Sequence, residues 1–228
     1  EKKEFGEVMT PMWLVDEMLD TLPPETWTNP SIKILDPANG CGIFPIEVVR
    51  RLFYGLAEDI PDPEERYWHI LTNNIFACDI QAKNNFLYKT TFDPNDSVDM
   101  NIHYGSFLDE SFDHVMKNIW GVRKFDIVIG NPPYQEMTDG HGAQARALYN
   151  KFSEKAFVIS SSTLFVTPSR WFAGGMGLGD FREKMLNSKK IKLIKHFPED
   201  FRQNGEKIFG NDVEIKGGVS YFLQDNDY

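Results

Sequence analysis

The chain has 228 residues, with 24 Lys+Arg against 34 Asp+Glu for a formal net charge of −10, and 41% of its residues are hydrophobic. That length suits one α/β domain with a substantial core and is short for two, while the acidic balance argues against a broad nucleic-acid-gripping surface, where phosphate contacts supply much of the affinity. No run reaches the roughly 18 apolar residues of a membrane span, and two cysteines, Cys41 and Cys78, are too few for a disulfide framework or a paired-cysteine metal site, which fits a reducing cytoplasm.

Seven short apolar runs read as strands, at 32–37, 75–80, 101–105, 125–130, 163–167, 191–197 and 218–223. After the first comes Asp36-Pro37-Ala38-Asn39-Gly40-Cys41-Gly42-Ile43-Phe44, a glycine loop opening a helix. Glycines let the backbone approach a ligand, and the helix start offers free N–H donors. No Gly-Lys-Ser/Thr follows, so a nucleoside triphosphate is not expected, and Asp36 suits a cationic amino group instead. Ile46, Val49, Arg50, Phe53 and Leu56 fall at helical spacing. Residues 59–66, rich in Pro, Asp and Glu, read as a surface insertion. Asp79 ends the second strand, where a carboxylate accepts from ribose hydroxyls. Ser106 and Phe107 follow the third strand, placed to touch an adenine edge and face.

The fourth strand runs through Ile127-Val128-Ile129, as if buried on both faces, into Gly130-Asn131-Pro132-Pro133-Tyr134. Gly130 lets the chain leave the sheet, the prolines stiffen it, and Asn131 before proline stays extended. The result is a rigid polar hook at a strand's carboxyl end, where open α/β sheets bind ligands. Residues 135–144 read as a mobile loop, 145–159 as a helix and 181–187 as a shorter one. Arg170 and Trp171, at a strand end, are contact candidates, whereas Lys184, Lys189, Lys190, Lys192 and Lys195 read as a solvated face. Strand–helix alternation predicts a three-layer Rossmann-like α/β fold with a mainly parallel seven-stranded sheet. The aperiodic stretch 198–216 leads to an expected antiparallel last strand. Five scattered histidines lack ligand spacing, so no metal is expected.

Three motifs together resemble the S-adenosylmethionine-dependent DNA adenine-N6 methyltransferases of restriction-modification systems. Asp36 to Phe44 is similar to that family's Asp-Pro-Ala-Cys-Gly-Ser-Gly-x-Phe, Asn131 to Tyr134 matches its Asn-Pro-Pro-Tyr, and Gly6-Glu7-Val8-Met9-Thr10-Pro11 looks like its Gly-x-x-x-Thr-Pro. The resemblance implies that Thr10, with Pro11, holds the methionine carboxylate. It assigns the methionyl end to Asp36, Pro37, Asn39, Gly40, Gly42 and Phe44. Asp79 with Ile80 would take the ribose, and Ser106 with Phe107 the adenine. Asn39, Cys41 and Ser106 depart from the family pattern.

At the hook, Asn131 and the Pro132 carbonyl would accept from the two N–H bonds of an adenine amino group, and Tyr134 would stack on the extruded base beside Pro133 and Arg170. Asn131 also borders the cofactor. The expected partner is double-stranded DNA with an adenine-containing target, and a recognition region or restriction subunit is expected outside a catalytic domain spanning residues 1–228. Two alternatives stay open: a protein-glutamine or RNA amino-group methyltransferase, and a degenerate specificity or scaffold module. A cytosine-C5 enzyme would need a Pro-Cys nucleophile, and neither cysteine follows a proline.

Overall fold

The computed structural model describes residues 9–136, 146–175 and 177–227. Chain order begins with α1 (Met12–Leu19), β1 (Ile34–Asp36), α2 (Ile43–Gly55), α3 (Pro63–His69), β2 (Ile75–Asp79), α4 (Ala82–Phe92), β3 (Asn101–Tyr104) and α5 (Glu110–His114). It continues with β4 (Phe125–Gly130), α6 (Tyr149–Ile159), β5 (Ser160–Pro168), α7 (Gly179–Asn187), β6 (Ile191–Phe197) and β7 (Val219–Asp225). The sheet order is β3-β2-β1-β4-β5-β7-β6. The pairs among β1 to β5 are parallel, and β7 runs antiparallel between β5 and β6. The expected seven-stranded, mostly parallel α/β sheet with an antiparallel last strand is the one observed.

Side chains alternate across the sheet as the strand repeat requires. Ile34, Ala77, Ile127, Ile129, Leu164 and Tyr221 join one core with Leu14, Val15 and Met18 of α1 and Val48 and Leu52 of α2. Leu35, Phe76, Val128, Phe165 and Phe222 join the other with Phe112, Phe152, Phe181 and Met185. Helices therefore cover both faces, which explains the consecutive apolar run Ile127-Val128-Ile129 in β4.

Several boundaries differ from expectation. The segment 59–66 is more than a surface insertion, because Asp62 Oδ1 accepts from Glu64 N at 2.9 Å and Glu65 N at 2.8 Å and caps α3. Arg66 is buried with its guanidinium 4.3 Å from the Phe53 ring centroid. The helix expected at 145–159 starts at Tyr149, after Ala147 bridges to Gln135. Ala145, most of the 135–144 loop and Gly6-Glu7-Val8 lie outside the described residues. The stretch before β7 has no helix, yet it is packed, with Ile208 and Phe209 buried. Among the described residues no helix is long and apolar enough to cross a membrane.

Candidate active site

Three loops at the carboxyl ends of β1, β2 and β3 are tied together by backbone and carboxylate. Asp79 Oδ2 accepts from Gly40 N at 2.9 Å and Oδ1 from Gln81 N at 2.8 Å. Asn39 N donates to Cys78 O, and Gly105 N donates to Asp79 O, each at 3.1 Å. Asn84 Nδ2 reaches Asp79 Oδ2 at 3.2 Å and Asn85 Nδ2 reaches Asp79 O at 2.8 Å. Asp79 thus organises the loops at the carboxyl end of β2. Asn84 and Asn85 escaped sequence reasoning because amides inside a helix carry no distinctive signal.

Gly40 and Gly42 both hold left-handed backbone, with φ of 50° and 88°. A Cβ on Gly40 would meet nothing within 4 Å, whereas one on Gly42 would stand 3.0 Å from Tyr88 Cδ2. The first glycine faces open space and the second seats the helix start against α4. Asp36 is 4% exposed, and its Oδ1 accepts from Ala38 N at 3.1 Å. Burial, with the neighbouring Asp79 charge, pushes its carboxyl up to about 8 despite that hydrogen bond.

Phe107 does not occupy an adenine-stacking position in this structure. Its ring is 1% exposed and packs in the core, 5.0 Å from Phe112 and 5.2 Å from Phe152 between centroids. The open apolar side chain beside Asp79 is Ile80, at 72% exposure. Ser106 Oγ accepts from Leu108 N at 3.2 Å and shapes the turn between them.

The hook leaves β4 at Gly130, whose φ is 153°. A Cβ there would stand 2.8 Å from Asp36 Oδ1, so the buried carboxyl lies directly against the hook's first residue. Asn131 Nδ2 donates to Thr10 Oγ1 at 3.1 Å across 121 residues of sequence. Pro132 is buried, while Pro133 and Tyr134 are partly exposed. The Tyr134 ring meets Tyr149 at 6.4 Å and Phe209 at 6.3 Å, both edge-on. Burial holds the Tyr134 hydroxyl well above the usual phenol range, so it is no base at neutral pH. Leu148 N donates to Tyr134 O at 3.1 Å and Glu136 N to Arg146 O at 2.9 Å, which ties residues 134–136 to residues 146–148.

Arg170 stands in a short 3-10 turn after β5, with Nε donating to Lys216 O at 3.3 Å. Trp171, expected as a contact, is instead a core residue 5.8 Å from Phe181. Tyr149 and Phe209 pack against the hook without any sequence motif that marks them for it. Phe209 lies in an aperiodic stretch, where no pattern marks it. Burial likewise raises the Cys78 thiol and keeps it un-ionised. Among the described residues no group of three His, Cys, Asp or Glu could hold a metal ion.

This geometry sets two buried acidic side chains, Asp36 and Asp79, beside a rigid amide hook. A sequence model of the Eco57I restriction-modification methylases matches residues 45–202, more than half of the chain. The chain belongs to the Eco57I restriction-modification methylase family. It is 27% identical to an uncharacterized adenine-specific methylase of Mycoplasma pneumoniae, over 97% of this chain and 68% of that protein. In fold it is similar to the protein of the DrdV–DNA complex, with a TM-score of 0.70 and 16% identity over 98% of this chain and 27% of that one. It is also similar to the M protein of the type I restriction enzyme EcoKI, with a TM-score of 0.64 and 16% identity over 95% of this chain and 44% of that one. The chain therefore spans less than half the length of each of these solved structures.

In fold the chain is also similar to a putative class I methyltransferase of Listeria monocytogenes, with a TM-score of 0.56 and 15% identity over 95% of this chain and 60% of that one, a protein named as dependent on S-adenosylmethionine. The residues present fit that cofactor. Open space over Gly40 admits close backbone approach, two carboxylates suit an ammonium and ribose hydroxyls rather than phosphate, and exposed Ile80 offers an apolar face beside them.

Proposed function

We propose that this chain is the catalytic domain of a DNA methyltransferase acting on the N6 amino group of adenine extruded from the duplex, within a restriction-modification system. The observation that carries the reading is the junction at β4, where Gly130 lies against Asp36 of the donor loop and Asn131 bonds to Thr10. Family membership supports it.

S-adenosylmethionine, when bound, supplies an electrophilic methyl group. Thr10, Pro11, Asp36, Pro37, Asn39, Gly40, Gly42, Phe44, Asp79, Ile80 and Ser106 would hold it, with Asn131 at its border. Phe107 would back this wall from the core without touching the cofactor. The adenine amino nitrogen is a poor nucleophile because its lone pair is delocalised into the ring. Asn131 Oδ1 and the Pro132 carbonyl accept from its two N–H bonds, which turns the nitrogen toward tetrahedral geometry and frees the lone pair. Both acceptors sit on backbone that proline stiffens, so they need little reorganisation. Tyr134 stacks on the base, with Pro133 and Arg170 at the rim. A base inside a duplex cannot reach such a pocket, so the target must be extruded. Positioning supplies most of the acceleration, with no strong base required.

Duplex DNA is the partner on this reading, and the target-recognition region lies outside residues 1–228. The direct test is transfer of labelled methyl from S-adenosylmethionine by the full-length protein, with DNA, RNA and a glutamine-bearing protein offered side by side. DNA should be labelled, at N6 of adenine. Asn131→Ala should lower transfer by about 10²–10³-fold, the cost of losing one preorganised hydrogen-bonding group. Full activity in that variant would overturn the mechanism.

A further inference from the structure

We infer that Thr10 is a positioning residue for Asn131, fixing which end of the catalytic amide faces the substrate. The inference rests on the amino-group transfer reading above. An amide has one acceptor end and one donor end, and an adenine amino group pointing its N–H bonds at Asn131 needs the acceptor. Rotating the amide by half a turn would set donor against donor. In the structure Nδ2 is turned to Thr10 Oγ1 at 3.1 Å, which directs the carbonyl end away from Thr10.

Thr10 is suited to this role because its own position is fixed. It is buried, one residue before Pro11, whose carbonyl accepts from Leu14 N and Val15 N at the start of α1. Helix α1 is then clamped from two sides. Arg51 of α2 donates to Asp20 Oδ1 at 2.7 Å and to Asp16 Oδ1 at 3.3 Å. On the other side Glu17 Oε1 accepts from the Tyr221 hydroxyl at 2.9 Å and pairs with Lys195 Nζ at 2.7 Å. Four apolar residues, Leu14, Val15, Met18 and Leu19, bury the remaining face. The hydroxyl that meets Asn131 therefore projects from a segment anchored to α2, β6 and β7 together. The role differs from holding the methionine carboxylate, because it acts on the acceptor side of the reaction.

The test uses the full-length protein with Thr10→Val, which keeps shape and loses the hydroxyl, and Thr10→Ser, which keeps the hydroxyl. At saturating S-adenosylmethionine and unmethylated genomic DNA, Thr10→Val should lose about ten- to a hundredfold in kcat, a loss that persists at saturation and is therefore separate from any weaker cofactor binding through the same hydroxyl. Thr10→Ser should restore kcat to within about threefold. In an Asn131→Ala background Thr10→Val should cost nothing further, since its effect passes through the missing amide. Undiminished kcat in Thr10→Val, or an equal loss with and without Asn131, overturns the inference. A second readout is independent of turnover. The Asn131 side-chain amide signals, identified by their loss in Asn131→Ala, should shift or broaden in Thr10→Val and return in Thr10→Ser. Unmoved signals overturn the role of Thr10, whereas wild-type protein that labels no DNA overturns the proposed function alone.

Discussion

The two halves of the sheet end in different chemistry. On the β1–β3 side the strand ends carry carboxylates, Asp36 and Asp79, held by backbone N–H groups of Ala38, Gly40 and Gln81. On the β5–β7–β6 side the same edge is walled by rings, with Tyr134 between Tyr149 and Phe209, and Phe197 against Phe201 and Tyr221. Carboxylates recognise hydroxyls and a cation; rings recognise the face of a base. Strand β4 stands between them, with Gly130 against Asp36 on one side and Tyr134, in the hook that follows the strand, against Tyr149 and Phe209 on the other. On the proposed reading, one fold separates donor from acceptor by chemistry and joins them at a single strand end.

Independent halves should respond to mutation independently. Asp79→Ala removes a charged acceptor for the ribose and the anchor of Gly40 N. It should weaken S-adenosylmethionine binding by about 10–100-fold, as loss of charge-assisted hydrogen bonds does, with DNA affinity unchanged when both are titrated separately. Tyr134→Ala should do the converse, costing roughly 1–3 kcal/mol of base stacking and sparing cofactor affinity. Gly130→Ala should cross the boundary, because its Cβ would stand 2.8 Å from Asp36 Oδ1. We expect it to lower stability by about 1–3 kcal/mol through overpacking and to lower cofactor affinity and turnover together. Additive losses in the Asp79/Tyr134 double variant would support separation; strong coupling between them would break it. Tyr134→Phe should have the smallest effect of all, because stacking resides in the ring.

The pH dependence sharpens the donor half. Burial raises the Asp36 carboxyl from 3.8 to about 8. It is thus protonated in the folded chain over a range where the unfolded chain has lost that proton. Its contribution to stability is present below pH 3.8 and falls as pH rises through about 8. Asp36→Asn should flatten that slope in thermal melts taken across the window. A bound ammonium favours the carboxylate, so cofactor binding near pH 7 should expel about one proton, measured as a buffer-dependent calorimetric enthalpy. Glu47 has the opposite sign. Its burial alone would raise it, but hydrogen bonds from Arg50 and Arg51 outweigh that and hold it at about 2, so its contribution is present above pH 4.5 and lost as pH falls through 2.

Much of this molecule is legible along the chain, for a physical reason. Strand β4 reads as a doubly buried strand because three consecutive apolar residues serve two cores, and the Asn-Pro-Pro backbone is constrained by its own rings. Asp36, Gly40 and Asp79 are visible because strand ends and glycine turns are local features. Asp62 shows what local reading misses: an acidic, proline-containing stretch resembles loop until its side chain is seen capping a helix. Arg66 likewise reads as surface until Phe53 covers it.

The strand–helix order, the hook and its glycine loop can be read along the chain, because each follows from periodicity or backbone constraint within a few residues. Which partners those pieces meet was settled by folding. It buried Phe107 and Trp171 in the core, opened Ile80 beside Asp79, set Phe209 edge-on to Tyr134, and brought Thr10 to Asn131. Those outcomes depend on contacts between residues far apart in the chain, and no local pattern encodes which distant side chain will fill the space.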